Sequence, residues 1–435
     1  MQQTLTSIKP ATNYRWVIVA LLFFATTINY LDRQVLGLLK PFLQKDLNWT
    51  ETDYSRIVIA FTASYALGLL LFGKIIDRIG TKLGYTITII VWSLAAMAHA
   101  LAKTTFGFGV ARAALGLGES GNFPAAIKTV AEWFPKKERA LATGIFNSGT
   151  NVGAIVAPAT VYWLQRNYGW GSAFICTGII GFIWLAAWLI FYKIPAKHKK
   201  VSESELAYIN SDVEKTLQDD KSKTPWLKLF ALKQTWVFIV GKLFTDPVWY
   251  FFLFWLPSYF KDKFGVNISE NYGLPIIIVY TATTIGSIGG GYLSSWFIKK
   301  GWPVYRARKI AMLIFAVCVI PIITARFATD IWVAVALISL AAAAHQAWSA
   351  NIFTTVSDMF PKRAIGSVIG IGGMAGSVGG IFFPILIGYL LDHYKLLGDI
   401  NIGYNIIFFI CGLAYLVAWI IIHFLSPKME VVKDL

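Results

Sequence analysis

Long apolar runs separated by short polar segments set the pattern of this chain. Twelve runs can be marked, at residues 14–39, 53–73, 83–102, 105–128, 140–164, 171–193, 234–259, 273–297, 308–326, 331–358, 363–391 and 403–425. Each is close to the roughly 20 residues that carry an α-helix across the hydrocarbon core of a bilayer. The apolar positions are continuous and do not alternate, which argues against a β-barrel. Pro and Gly inside several runs fit helices whose neighbours re-satisfy the backbone. The pattern predicts an all-α polytopic membrane protein with twelve transmembrane helices.

Composition sharpens this reading. The 435 residues are 56% hydrophobic and only 14% charged, against about 25% charged in an ordinary soluble domain. The net charge of +16 would by itself fit nucleic acid. The basic residues, however, lie in short loops between apolar runs, with no stripe of interleaved aromatics, so no nucleic-acid partner is expected. Lys74, Arg78 and Lys82 follow run 2, and Lys136, Lys137 and Arg139 follow run 4. Lys299, Lys300, Arg306, Arg308 and Lys309 follow run 8, and Lys362 and Arg363 follow run 10. The intervening loops are thinner, with Lys103, Arg166, or Arg326 beside Asp330. Lys and Arg accumulate on the cytoplasmic side of short loops, so both termini and the 6–7 segment are expected there, in a multi-pass protein of the cell (inner or plasma) membrane. No cleavable signal is read, because the first run is long and carries Asp32 and Arg33. Cys176, Cys318 and Cys411 all lie inside runs without metal-ligand or paired spacing, so no disulfide, metal or cofactor is expected.

The stretch 194–233 is the one long polar segment. Ser202-Glu203-Ser204-Glu205 has the form of a capping box and predicts a short helix over 203–217, ended by Lys221-Ser222-Lys223-Thr224-Pro225. The segments flanking it repeat. Trp133-Phe134-Pro135-Lys136-Lys137 aligns with Met359-Phe360-Pro361-Lys362-Arg363, and the register continues without a gap. Gly144 then meets Gly370, Val152-Gly153 meets Val378-Gly379, and Pro158 meets Pro384. A repeat of this length predicts two parallel halves, 1–193 and 234–435, with 194–233 as a cytoplasmic linker. A central site between two such halves is a transporter plan.

Charges inside the runs mark candidate chemistry, because an ionisable side chain at mid-bilayer costs about 2.5–3.5 kcal/mol or more and usually faces a water-filled path. Asn29-Tyr30-Leu31-Asp32-Arg33-Gln34 holds an acid and a guanidinium side by side. The helical period puts them about 100° apart, so Arg33 can face a cavity while Asp32 turns toward a neighbouring helix. A guanidinium fork suits a carboxylate, and Tyr30, three residues earlier, can share its face. The alternative is that Arg33 is a structural partner of Asp32 or Glu119. Arg112 and Glu119 lie two turns apart on one face of run 4. Glu119 and Asp32 are the proton-carrier candidates, and Arg112 is read as the group that holds Glu119 ionised. Lys242 and Asp246, spaced i, i+4, are expected to pair internally. Trp249 is a weaker stacking candidate. His345 falls at the repeat position of Glu119, near Gln346 and Asn351, and Tyr65 and Asn147 are further polar candidates. The Gly-rich parts of runs 5, 8 and 11 are read as close-packing surfaces.

Gly73-Lys74-Ile75-Ile76-Asp77-Arg78-Ile79-Gly80-Thr81-Lys82 resembles the loop signature between spans 2 and 3 of the major facilitator superfamily. A degraded and longer counterpart runs from Gly291 to Lys309. Within that superfamily the chain resembles the anion:cation symporters, in particular the hexuronate and sugar-acid permeases. The residues that carry this likeness are Tyr30-Leu31-Asp32-Arg33, Arg112 with Glu119 and Asn122-Phe123-Pro124, Trp133-Phe134-Pro135 with Arg139, Asn147 to Gly153, and His345-Gln346. The resemblance covers essentially the whole chain. It implies two six-helix bundles, proton-coupled uptake of an organic anion by alternating access, Asp32 and Glu119 as coupling acids, and a conformational loop at Gly73, Asp77, Arg78 and Gly80. Such relatives often carry a polar side chain where this chain has Gly373, the repeat position of Asn147.

The expected substrate is a hexuronate or related sugar acid, bound by Arg33, Tyr30, Tyr65, Asn147, His345, Gln346 and Asn351, with H+ as coupling ion and Na+ left open. The anion-handling groups are expected in the first half, and neutral polar contacts in the second. A monomer is expected. The alternatives are a permease or exchanger for galactonate, a dicarboxylate or an organophosphate, and a membrane sensor without flux. A phosphate ester would favour an arginine from each half, and runs 7, 8, 10 and 11 contain none. No Ser–His–acid or His-rich pattern points to an enzyme.

Overall fold

The computed structural model describes residues 12–212, 226–265 and 274–432, and among these it contains helices and no strand. In the first half, α1 is Arg15–Leu47, α2 Glu51–Ile79, α3 Thr81–Ala98, α4 Thr105–Glu119, α5 Asn122–Trp133, α6 Lys136–Tyr168 and α7 Trp170–Phe191. Two short helices follow, α8 Glu203–Ile209 and α9 Trp226–Ala231. The second half has α10 Lys233–Phe254, α11 Leu256–Phe264, α12 Leu274–Lys299, α13 Val304–Val319, α14 Ile331–Met359, α15 Ile365–Leu396 and α16 Ile400–Leu425. Among the described residues, ten helices are long and apolar enough to cross a membrane. Large apolar side chains point outward along them, for example Leu67, Ile183, Phe382 and Phe424, as expected where the outer solvent is hydrocarbon.

Several of the twelve sequence runs differ from this simple form. The run at 105–128 is broken at Ser120–Gly121 into α4 and α5. There a Cβ on Gly121 would strike Thr88 of α3, so the chain passes close to its neighbour. The run at 140–164 is continuous as α6, but its first turns carry Lys136, Lys137, Glu138 and Arg139. The first run extends to Leu47, beyond the expected 39, and closes on Asn48 in the left-handed conformation. Gly80, with φ of 86°, makes the one-residue turn from α2 to α3 that the loop signature requires.

The internal repeat recurs as packing. In the first half α1 packs on α6, α2 on α4, and α3 on α7; in the second, α10 packs on α15, α12 on α14, and α13 on α16. The halves meet along two seams, α6 with α12 and α2 with α15. Glycines build both seams. A Cβ on Gly144 would overlap the Ser287 carbonyl, and one on its repeat partner Gly370 would overlap the Leu69 carbonyl. Gly291 lies against Ala140 and Leu141, and Gly73 against Gly366 and Ser367. Such backbone approach favours dispersion contacts where hydrocarbon gives no hydrophobic drive.

The seams are tied at the Lys/Arg-rich end. Asp77 accepts from the backbone N–H groups of Gly366 (3.0 Å) and Ser367 (2.6 Å), and pairs with Lys128 at 3.0 Å. Its two backbone bonds cap the N-terminus of α15, where a helix dipole favours a carboxylate. Arg78 is exposed in the last turn of α2. Arg139 donates to the Ser357 carbonyl and lies 3.6 Å from Asp358. Arg308 donates to Asp358 (2.9 Å) and to the Lys136 carbonyl (2.8 Å).

The capping box expected at Ser202 forms only in part. Ser202 accepts from the Glu205 N–H, but the Glu205 carboxylate does not return to Ser202. It is buried and accepts from Thr12 Oγ1 (2.5 Å) and from the N–H groups of Tyr14 and Arg15 (both 3.1 Å). The Tyr14 N-cap of α1 makes no side-chain capping bond, so Glu205 supplies the cap from the 194–233 segment. Tyr208 donates to Glu138 at 2.8 Å, and burial with that bond pushes its hydroxyl up to about 12. α8 therefore clasps the starts of α1 and α6. The helix expected over 203–217 ends at Ile209, where Asn210 closes it and 210–212 form a turn; residues 213–217 and Lys221–Pro225 lie outside the described residues.

Candidate functional site

A cavity opens between the halves at mid-depth, with about 80 Å³ open to water centres. α1 contributes Tyr30 and Arg33, α2 Tyr65, α6 Asn147 and Thr150. α10 contributes Lys242, Asp246, Trp249 and Tyr250; α14 contributes His345, Gln346 and Ser349; α15 contributes Gly373 and Ser377.

The guanidinium of Arg33 is caged by three rings, Tyr65 at 4.6 Å, Tyr30 at 4.8 Å and Phe61 at 5.2 Å. Its Nε and Nη2 donate to one oxygen of Glu119, at 3.0 and 2.9 Å. Tyr65 lies within hydrogen-bonding reach of the guanidinium, and 22% of the Arg33 side chain is exposed against 0% of Glu119. One edge of the fork is therefore held from behind and the other is open to the cavity. The second Glu119 oxygen has no hydrogen-bond partner among the described residues.

Asp32 turns away from the cavity, as its position on the helix requires. It is buried against Thr177 of α7, with Glu119 and Arg112 as its charged neighbours. The Thr177 hydroxyl donates to Phe174 O (3.2 Å) and also lies within reach of the Asp32 carboxylate, which accepts no other hydrogen bond among the described residues. Arg112 is a charged neighbour of Glu119 but is not its hydrogen-bond partner among the described residues. Its Nε is buried without a partner and its guanidinium lies over Phe61. Arg33, 86 positions away in sequence, is the group that binds Glu119.

The floor of the cavity joins the halves through amides. Asn147 donates to Gln346 Oε1 (2.8 Å), and Gln346 donates to Asn151 Oδ1 (3.3 Å). His345 contacts the Tyr415 hydroxyl at 2.5 Å and stacks on Trp249 with centroids 5.0 Å apart. Gly153 packs on the Thr27 carbonyl and its repeat partner Gly379 on that of Leu243. Six residues after Thr27 comes Arg33, and six after Leu243 comes Trp249. The Arg33–Glu119 ion pair of the first half thus has the Trp249–His345 stack as its counterpart, and the site is charged on one side and aromatic on the other.

The second half is nevertheless not limited to neutral groups. Lys242 and Asp246 pair at 2.8 Å as their spacing predicts, and both line the cavity. Asn351 does not reach it. Its amide donates to the Gly290 (3.0 Å) and Ala347 (2.9 Å) carbonyls and ties α14 to α12. Residues the sequence reading passed over also line the space: Tyr250, Ser349, Ser377, Phe123 and Phe353. Tyr250 follows Lys242 and Asp246 at four-residue spacing, a signal that could have found it. The Phe123–Phe353 stack, 5.0 Å between centroids, joins helices far apart in sequence and leaves no such signal.

Comparison with known proteins fits this architecture. A model of the Major Facilitator Superfamily matches residues 22–384. The chain is 32% identical over 426 residues to a hexuronate transporter of Escherichia coli K12, covering 97% of this chain and 96% of that one. It is 34% identical to a galacturonate transporter of Dickeya chrysanthemi, over 66% of this chain and 83% of the relative. Its fold is similar to that of the proton:xylose symporter XylE bound to 6-bromo-6-deoxy-D-glucose. That match has a TM-score of 0.74 and 16% identity, over 96% of this chain and 97% of the other.

Proposed function

The chain belongs to the Major Facilitator Superfamily, and on that premise we propose that it imports a hexuronate, galacturonate or glucuronate, together with protons. It is a multi-pass transporter of the cell membrane and not an enzyme. In this reading the twelve apolar runs are twelve crossings in two six-helix bundles, 1–193 and 234–435, joined by the 194–233 linker. Both termini and the Lys/Arg-rich end face the cytoplasm, and the protein works as a monomer.

The observation that carries the reading is the divided Arg33 fork. Its open edge can take a substrate carboxylate bidentately, while its other edge is held by Glu119. A carboxylate arriving at Arg33 adds negative charge beside Glu119. Binding is favoured when Glu119 takes a proton and releases the fork. Asp32, buried with only Thr177 beside it as a donor, is a second proton acceptor close to the same charges. Tyr30, Tyr65, Asn147, Gln346 and His345 present hydrogen-bonding groups to the sugar hydroxyls. With the carboxylate and the proton both bound, the cavity is neutral and the halves can rock. Opening at the cytoplasmic end breaks the Asp77 cap and the Arg139 and Arg308 ties. Proton loss then restores the Glu119–Arg33 pair and expels the anion. The 32% identity to a hexuronate transporter supports the substrate class.

Uptake of labelled galacturonate and glucuronate by reconstituted vesicles tests this. Wild-type protein accumulates the substrate when a pH gradient is imposed. Glu119→Gln loses gradient-driven accumulation and keeps substrate exchange, because the fork remains but the proton site is gone. Accumulation by that variant equal to wild type would sink the coupling role.

A further inference from the structure

The cavity has a second charged pole. Lys242 and Asp246 lie one turn apart on α10, pair at 2.8 Å and both line the space. α15 is shaped to admit them. A Cβ on Gly376 would overlap the Asp246 carboxylate, and one on Gly380 would overlap the Tyr250 ring. Gly373, the repeat position of Asn147, brings no side chain of its own. The first half sends an amide into the cavity from α6. The second half sends a cation and a carboxylate from α10 past a glycine face of α15. Stability does not account for the pair, since apolar residues of similar volume usually serve as well or better.

Resting on the reading of the cavity as a sugar-acid site, we propose that Lys242 and Asp246 form its hydroxyl-recognition pole. The pair then selects acids with one carboxylate over diacids of the same carbon number. A carboxylate accepts two hydroxyl hydrogens, and an ammonium donates to hydroxyl oxygens. In the empty cavity the two groups satisfy one another. In the filled cavity the sugar hydroxyls bridge them. A second substrate carboxylate at this place has no hydrogen to give and meets Asp246 as a like charge. Sites built to hydrogen-bond a hydroxyl discriminate strongly, because a mismatch leaves desolvated polar groups unpaired. Lys242 is held in place by the face of Phe353, 4.3 Å from its ammonium, and Asp246 by the Gly376 notch.

The test is competition by unlabelled galacturonate and galactarate against labelled galacturonate uptake. With wild-type protein, galactarate competes at least about tenfold more weakly. Asp246→Asn brings the two competitors to similar strength and raises KM for galacturonate about tenfold or more. The Lys242→Gln/Asp246→Asn double variant removes both charges, avoids a lone buried cation, and likewise loses the discrimination. Variants that fold but do not transport are read by substrate-induced thermal stabilisation, where the same change in ratio is expected. A wild-type ratio preserved in both variants overturns the proposal. Equal competition in wild type also overturns it and leaves the hexuronate reading standing. A wild type that binds and transports neither acid overturns both.

Discussion

Alanine at Gly291 of α12 should shift the transporter's conformation and alanine at Gly289 should not, although only Gly290 separates the two positions. A Cβ on Gly291 would overlap the carbonyl of Ala140 and the backbone of Leu141 across the α6–α12 seam. A Cβ on Gly289 would meet nothing within 4 Å. Both substitutions gain roughly 1 kcal/mol of helix propensity, in whichever state the transporter occupies. Only Gly291→Ala adds a clash, and the clash is with main chain, which cannot rotate away as a side chain can. Overpacking of this kind costs about 1–3 kcal/mol. The cost falls only on the state closed at the Lys/Arg-rich end. It therefore shifts the equilibrium about 5–150-fold toward the state open there. Ser377→Cys, which lines the cavity, reports the shift in a background with Cys176, Cys318 and Cys411 replaced. Gly291→Ala should raise labelling by an impermeant thiol reagent from the side of the Lys/Arg-rich end and lower it from the other side. Gly289→Ala should leave both unchanged. Gly144→Ala, Gly73→Ala and Gly370→Ala, which touch the same seam or its counterpart, should act as Gly291→Ala does. Identical labelling in Gly291→Ala and Gly289→Ala would refute the assignment of the seam as the state-defining contact.

Arg33→Lys keeps the charge but loses the planar fork that serves Glu119 and substrate together; KM for galacturonate should rise about tenfold or more, while thermal stability changes little. Glu205→Gln removes the charged cap that the linker supplies to α1, and the melting profile in detergent should reveal a loss of about 1–2 kcal/mol. An unchanged profile would mean that α8 is not a clasp. His198 lies in the linker with its ring 4.2 Å from that of Tyr14, and burial pushes its pKa below the ordinary 6.5. The unfolded chain then binds more protons than the folded one, so stability is present above pH 6.5 and falls as pH drops below it. Melting measured on either side of that pH should show this loss in wild type and a smaller one in His198→Gln.

Much of the architecture was legible in the chain because a bilayer is a simple solvent. Lengths of apolar runs, their loop charges and the gapless repeat from Trp133 to Pro158 against Met359 to Pro384 need only one-dimensional periods. The same holds for local pairs: Lys242 and Asp246 are joined by one helical turn, and the divergence of Asp32 from Arg33 follows from 100° per residue. The break of α4 from α5 at Gly121 was not legible, since its cause is the approach of Thr88 on another helix. Nor was the exclusion of Asn351 from the cavity, which depends on the Gly290 carbonyl.

The sequence by itself determined that the chain is helical, membrane-spanning, internally duplicated and unusual in burying charges in its first half. Those properties follow from hydropathy, composition and spacing, each a sum over neighbours in the chain. Only the tertiary structure decided which charges meet. Glu119 takes its hydrogen bonds from Arg33, while Arg112, on its own helix face, acts on it only as a nearby charge. Glu205 caps α1 from 190 residues away, and Asp77 caps α15 from 289 residues away. The physical reason is range. Helical period fixes direction around one axis, but a hydrogen bond or an ion pair is fixed by a separation of about 3 Å. That separation is set by how two helices pack, and the residues that set it, such as Gly144, Gly291, Gly366 and Gly376, are silent in any reading of charge or hydropathy.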